Sequence, residues 1–265
     1  MEKISDIKTL TEEELKNWLK EVGEKPFRAD QIRNRLFCGQ VKSFNEMETI
    51  PAALREKLSA NFRITSLEEA KRLLSEDGTV KWLYRTHDGY HIETVLIPTN
   101  DRFSVCVSTQ IGCAQNCAFC RTAKMGFIRN LEAGEILEEI IRVNWYLEET
   151  GTKHSDGSLA KVTNIIFMGM GEPLNNLEQV HRVCCTLHHQ KLFNLGRKRM
   201  TISTSGVVPK IKELVDRNTP CCLAVSLNST NDERRSAVMP VNKVWNIAKL
   251  LEATDEYTRR TGNSV

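Results

Sequence analysis

The apolar positions of this chain change their spacing along its length, and each change marks a different kind of structure. Near the start, Leu15, Trp18, Leu19 and Val22 recur at i, i+3, i+4 and i+7, the period of a helix with one buried face. Thr11-Glu12-Glu13-Glu14 just before them has the form of a capping box, and Gly23 closes the run. Two more helices are predicted over 27–37 and, after Pro51, over 52–61, so residues 1–75 read as a helical module. Beyond it, β-prone residues at 79–84 and 90–97 flank His87-Asp88-Gly89, the signal of a β-hairpin. That hairpin, within 76–100, is expected to connect the module to the rest of the chain, 101–265.

From residue 103 strands and helices alternate. Strands are predicted over 103–108, 164–168, 200–204 and 223–227, and helices over 133–149, 176–190, 207–217 and 244–259. The first of these helices turns Ile136, Leu137, Ile140, Ile141 and Leu147 to its buried side. Repeated βα units predict an α/β fold with parallel strands and right-handed crossovers. The polar stretch 151–161 is expected to be a mobile insertion. Working residues in such folds gather at the C-terminal ends of strands and in the loops that follow. Cys113, Cys117 and Cys120 then lie after the first strand, Gly171 and Glu172 after the second, Ser203 at the end of the third, and Ser226, Leu227 and Asn228 at the end of the fourth. Gly169-Met170-Gly171 begins like a dinucleotide fingerprint, but Leu174 stands where the third glycine belongs and Pro173 suits such a loop badly.

Composition narrows the class only a little. With 265 residues and 40% hydrophobic content the chain can bury a large core, and no apolar run reaches the length of a membrane span. The charged start lacks the features of a signal or transit peptide, so a soluble cytoplasmic protein is expected. A net charge of +3 is too small to announce a nucleic-acid partner, and clustering matters more. Arg28, Arg33 and Arg35 sit beside an apolar stripe, and further basic groups are Arg121, Lys124 and Arg129, Arg197-Lys198-Arg199, and Arg234-Arg235. Each alone reads as a solvated face; gathered on one rim, the last three groups would give salt-dependent phosphate contacts without sequence choice. Glu93 is an isolated carboxylate among Ile92 to Ile97, read either as the exposed side of an edge strand or as a working acid.

The sharpest chemistry is in Cys113-Ala114-Gln115-Asn116-Cys117-Ala118-Phe119-Cys120. Three thiols in one short loop can face a single point, and three cysteines on a four-iron cluster leave one iron open for a ligand other than protein. A structural zinc site would need a fourth ligand from a second short pair, which the chain does not offer. Disulfides fit poorly with an odd total of nine cysteines, two adjacent pairs among them, and no secretory signal. Cys38, Cys184, Cys185 and Cys221 are expected to be small buried hydrophobes. Alternation places Ser104, Cys106 and Ser108 on one face of the first strand, opposite Phe103, Val105 and Val107, while Cys222 shares a face with Ala224 and Ser226.

The C-x-x-x-C-x-x-C spacing resembles the signature of radical S-adenosylmethionine (SAM) enzymes, and its surroundings are more specific. Gln110-Ile111-Gly112-Cys113, Arg121 through Gly126-Phe127-Ile128-Arg129-Asn130-Leu131, Gly169-Met170-Gly171-Glu172-Pro173, Ser203 through Pro209, and Ser226-Leu227-Asn228 resemble, in order and spacing, the RlmN/Cfr family of RNA adenine methyltransferases. The resemblance implies a partial parallel β/α barrel of the radical SAM type after a small helical RNA-binding domain. A full barrel of this type has six strands. With four βα units before Val265, the chain is expected to be a shortened or truncated member.

What the family does then implies roles. Cys113, Cys117 and Cys120 would hold a 4Fe-4S cluster; Gly171, Glu172, Ser203, Ser226, Leu227 and Asn228 would bind SAM; Glu93 would accept a proton and Cys106 would be the second catalytic thiol. In the implied route one SAM methylates a cysteine near the C-terminus, and a second yields a 5′-deoxyadenosyl radical that activates that methyl for addition to adenine. None of the nine cysteines occupies the motif of that methyl carrier, so the chain alone is expected to cleave SAM without methylating RNA. The implied partners are 23S rRNA, with tRNA adenine 37 as a further substrate, and an electron donor such as flavodoxin or ferredoxin, for a monomer without a membrane. Carbon 2 of adenine is preferred over carbon 8, since both activities share these motifs but the helical module and the Gly126 to Asn130 block favour carbon 2. The alternatives are another radical SAM activity and an iron–sulfur RNA-binding protein without catalysis.

Overall fold

The alternation of the strands becomes a sheet with two unlike faces. The computed structural model describes residues 4–265. It begins with β1 (Ser5–Asp6), α1 (Glu12–Glu21), α2 (Arg28–Phe37), α3 (Ala52–Asn61) and β2 (Phe62–Arg63), followed by β3 (Leu67–Leu74), β4 (Val80–Thr86) and β5 (His91–Thr99). The α/β part comprises β6 (Arg102–Cys106), β7 (Gln110–Gly112), β8 (Phe127–Asn130), α4 (Ala133–Glu149), β9 (Asn164–Phe167), α5 (Leu177–His188), β10 (Met200–Thr204), α6 (Val208–Asp216), β11 (Cys222–Val225), α7 (Asp232–Val238) and α8 (Ile247–Thr261).

Seven strands form one sheet in the order β11-β10-β9-β6-β5-β4-β3. The four from β11 to β6 are parallel, and β6, β5, β4 and β3 are antiparallel neighbours. The expected hairpin is therefore half of a continuous sheet rather than a connection beside it. Its turn is as predicted: the Thr86 amide donates to Tyr90 O at 2.8 Å, and Gly89 takes φ +89°. The parallel strands do not close a barrel, and β11 ends the sheet.

Three other expectations are corrected. The helical reading to residue 75 fails after Asn61, because Leu67-Glu-Glu-Ala-Lys-Arg-Leu-Leu74, a string of good helix formers, pairs with β4 as an edge strand. Its charges and a bulge at Glu69/Lys71 guard that edge against further pairing. The single helix expected over 244–259 is preceded by α7. The polar stretch 151–161 is laced rather than loose: Ser155 N donates to Asp101 at 2.8 Å, Ala160 N to Thr152 O at 2.9 Å, and Lys153 bridges Leu159.

One face of the sheet is covered by helices. Trp82, Ile92, Leu96, Val105, Ile165 and Ile202 are buried there, and the predicted apolar side of α4 meets them. At α1 the capping box is real, with Glu14 N donating to Thr11 Oγ1 and Thr11 N to Glu14 Oε2.

Three buried acids on α4 tie the parts together. Glu135 takes two bonds of 2.8 Å from Arg129 of β8. Glu138 accepts from Ser66 N and Leu67 N at 2.7 and 3.2 Å and pairs with Lys8 at 3.2 Å, itself paired with Asp6 at 2.9 Å. Glu139 accepts from Thr94 Oγ1 and Ser108 N, while its Oε1 finds no partner among the described residues.

Burial pushes the Glu139 carboxyl well above the usual carboxylate range, further than its two hydrogen bonds can pull it back. A buried acid that stays protonated while its unfolded counterpart ionises stabilises the fold fully only below the unfolded pKa, and that contribution is lost as pH rises towards the folded one. Glu139→Gln, a neutral isostere, should therefore be more stable than the parent above about pH 5, with the gap widening by about 1.4 kcal/mol per pH unit up to the folded pKa. Urea unfolding at pH 5, 6.5 and 8 measures it, and a pH-independent gap would mean that Glu139 is ionised.

Candidate active site

The other face of the sheet is half open, and register decides what stands on it. Val95 pairs with Cys106, Cys106 with Ile166, Ile166 with Thr201, and Thr201 with Cys222, so these residues form one lateral row. Residues two positions along their strands share the face. Glu93, Ser203 and Ala224 thus stand beside the row, with Ser226 just past the end of β11. Of the predicted set, Glu93, Cys106, Ser203 and Ser226 are brought to this face, and Ser203 Oγ lies 3.4 Å from Ser226 Oγ. Ser108, expected beside Cys106, instead lies beyond the strand and turns inward, donating to Glu93 O at 2.7 Å and accepting from Met170 N at 3.1 Å.

Glu93 is neither a bare edge residue nor a buried acid. Its carboxylate is 42% exposed and pairs with Lys81 of β4 at 2.7 Å. Burial pushes the Cys106 thiol up to about 11, against the opposing pull of a backbone hydrogen bond from Met168.

The cysteine loop is held open by backbone rather than by packing. β7 and β8 pair across its mouth, and Cys113 N donates to Gly126 O at 2.9 Å. Gly112 has to be glycine here: φ is +73°, and a Cβ would lie 1.7 Å from Gly126 O. Further in, Cys120 N donates to Cys117 O at 3.0 Å, and Ala118 N reaches Val238 O of α7 at 2.9 Å. All three thiols are free, and burial pushes Cys113 up to about 11. Cys117 is raised by burial and by the charges of Cys120 and Glu172, with Arg235 pulling it back.

No three His, Cys, Asp or Glu side chains among the described residues converge on a single-ion site. A cluster asks something different, one thiolate for each of three irons. The soft donors, their free state and their single loop fit that group.

Glu172, expected with its backbone neighbours to receive the amino group of SAM, turns its carboxylate inward. It is buried and accepts from Ser205 N at 2.8 Å, Ser205 Oγ at 2.7 Å and Leu174 N at 3.2 Å, while its own amide donates to Gln110 Oε1 at 2.8 Å. Burial raises it, and the Ser205 bonds oppose that. It braces the loops after β9 and β10 and leaves their backbone to meet a ligand. Gly171, with φ +106° and a Cβ position 2.6 Å from Gln110, lets the first of these loops pass.

The basic groups do not share one rim. Arg197 to Arg199 precede β10 and so lie at the opposite end of the sheet from Cys106 and Ser226. Arg129 is bound to Asp88 and Glu135, and Arg235 is fully buried, so neither is free for phosphate. Arg121, Lys124 and Arg234 remain exposed. Of the four cysteines expected in the core, Cys184 and Cys221 are buried but Cys38 and Cys185 are exposed, since their helices turn those positions outward. Lys81 gave no sequence signal as a site residue, and Arg235 was read only as part of a basic surface group, because only cross-strand and loop packing brings them there.

The class follows from comparison with known proteins. Residues 107–264 match the model of the Radical SAM superfamily, whose members use SAM and a 4Fe-4S cluster. A crystal structure of a radical SAM methyltransferase from Sphaerobacter thermophilus superposes with a TM-score of 0.90 at 38% identity, over 98% of this chain and 74% of that one. Residues 5–64 match the Ribosomal RNA large subunit methyltransferase N-terminal domain. A protein from Bacillus velezensis named "Probable dual-specificity RNA methyltransferase RlmN" is 42% identical over 96% of this chain and 68% of its own length. Its namesake from Geobacillus kaustophilus is 40% identical over 99% of this chain and 70% of its own length. The chain belongs to the RlmN family of radical SAM RNA methyltransferases.

With a thiol pushed up to about 11, Cys106 is almost wholly protonated at neutral pH. Iodoacetamide labelling of Cys106, followed by peptide mass spectrometry, should accelerate about tenfold per pH unit between pH 8 and 10. A plateau by pH 9 would show a more acidic thiol than this burial allows.

Proposed function

We propose that this chain serves methylation of carbon 2 of an adenine in 23S rRNA, with a tRNA adenine as second substrate. The observation that carries the reading is the open sheet face, where an acid and a thiol from neighbouring antiparallel strands stand beside the loops suited to SAM. The names of the relatives support an RNA substrate, and the "dual-specificity" in those names supports two of them.

Carbon 2 of adenine is electron-poor and does not attack a sulfonium methyl. When bound, the cluster and SAM supply one-electron chemistry that makes a methyl carbon reactive towards such a position. The residues of the chain then have two tasks. Glu93, held by Lys81, would take the ring proton. Cys106, as its thiolate, would attack the sulfur of a methyl-carrying cysteine that is not among the nine of this chain. A sulfur–sulfur bond then forms as the carbon–sulfur bond breaks, and its electron pair goes to the carbon, which takes up a proton as the new methyl group. Cys113, Cys117 and Cys120 hold the cluster. The backbone at Gly171 meets the amino group of SAM, and Ser203, Ser226, Leu227 and Asn228 offer short groups for its ribose and carboxylate. Reducing the cluster calls for an electron donor of the flavodoxin or ferredoxin kind.

RNA binding falls to the N-terminal part, helical as far as Asn61, where Arg28 and Arg35 are half-buried and Arg33 is buried, and to the exposed Arg121, Lys124 and Arg234 near the cysteine loop. The target base has to leave its stack to reach the sheet face. The match to a ribosomal RNA methyltransferase N-terminal domain favours carbon 2 over carbon 8.

Mass spectrometry of ribosomal RNA from cells with and without the intact gene tests the assignment: 2-methyladenine should depend on the gene, and 8-methyladenine in its place would overturn it. In the purified protein, Cys113→Ala, Cys117→Ala or Cys120→Ala should each abolish iron after anaerobic reconstitution, whereas Cys106→Ala should retain about four irons per chain. Loss of iron on removing Cys106 would contradict this division of the thiols.

A further inference from the structure

α7 carries a cation that is fully shielded from solvent. Arg235 is 0% exposed, and each arm of its guanidinium donates to a neutral acceptor: Nη2 to Ser205 O at 2.5 Å, Nε to Leu227 O at 3.1 Å and Nη1 to Asn242 Oδ1 at 2.7 Å. A buried arginine ordinarily pairs with a carboxylate, because desolvating an unpaired charge is costly. Asp232, on the same helix, is occupied by Asn242 and by the amide of Ile247.

The place of this charge gives it a use. Ser205 and Leu227 belong to the loops after β10 and β11, which hold the candidate SAM residues, and Val238 of the same short helix takes the Ala118 amide from inside the cysteine loop. Arg235 thus stands one turn from the carbonyl that pins the cysteine loop between Cys117 and Cys120. Glu172, the acid beside these loops, is buried and spent on Ser205 and Leu174.

Adding one electron to a cluster held by three thiolates adds one negative charge. A fixed cation in a low-dielectric setting stabilises the more negative state more, and net charge is among the terms that set such potentials.

We propose that Arg235 is a positioning residue for electron uptake: a buried cation with no acidic partner among the described residues, braced on Ser205, Leu227 and Asn242, that raises the reduction potential of a cluster held by Cys113, Cys117 and Cys120. The inference rests on the cluster reading above.

The test is a redox titration followed by electron paramagnetic resonance, on anaerobically reconstituted parent, Arg235→Gln and Arg235→Lys, with iron counted in each. Arg235→Gln should keep its iron and have a ratio of reduced to oxidised cluster at least tenfold lower at any fixed potential, equal to about 59 mV for one electron. Arg235→Lys, which keeps the charge, should stay within about twofold of the parent. Full iron with an unchanged ratio in Arg235→Gln would overturn the proposal, and so would an equal shift in Arg235→Lys. If Arg235→Gln fails to hold iron, Arg235→Lys decides alone: parent-like iron and ratio support the role of charge, and loss of either refutes it. A parent protein that takes up no iron would sink the cluster reading itself.

Discussion

Burying carboxylates is costly, and α4 buries three of them within little more than one turn. Each is compensated in a different currency. Glu135 has the fork of Arg129, Glu138 has Lys8 and two backbone amides, and Glu139 has hydroxyl and amide donors but no cation. The three partners belong to the cysteine loop, the N-terminal module and the β5–β6 pair. A helix that looks from its apolar side like ordinary core packing is thereby the joint at which the cysteine loop, the N-terminal module and the β5–β6 pair are held in one arrangement. Removing Glu135 or Glu138 would leave Arg129 with Asp88 and Lys8 with Asp6, whereas removing Glu139 would leave a buried hydroxyl and a buried amide without their acceptor.

Much of this was legible in the sequence wherever the structure is local. The helical period found α1 and α4, the His87-Asp88-Gly89 turn located the hairpin, and the βα alternation located the four parallel strands. β3 was illegible because its residues favour a helix in isolation and become a strand only by pairing with β4. α7 is seven residues long, mostly polar, and anchored by one buried arginine that a polarity pattern assigns to solvent. The joining of hairpin and parallel strands into one sheet is a long-range pairing, on which periodicity is silent.

The candidate site divides in the same way. Cys113, Cys117, Cys120 and the loops after β9, β10 and β11 lie in contiguous motifs and could be read directly. Whether Cys106 and Glu93 share a face was open until β5 and β6 were seen to pair with Val95 opposite Cys106. The bracing roles of Lys81, Gln110 and Arg235 were not legible, because they depend on strand pairing and on loops meeting in space. Charge runs were the weakest guide: of the basic residues grouped near the site, Arg129 and Arg235 serve the inside of the protein.

Because Glu93 and Cys106 sit on adjacent antiparallel strands, the span between acid and thiol can change only in whole steps. Shifting β5 by one residue would carry Glu93 through the sheet to the helix side and bring Thr94 out in its place. Shifting it by two would keep the face but move the acid by about 7 Å. No sequence of small, tolerated adjustments connects these settings. The acid and the thiol are thus placed as one unit by the register of β5 on β6, a constraint that the loops around the face do not share.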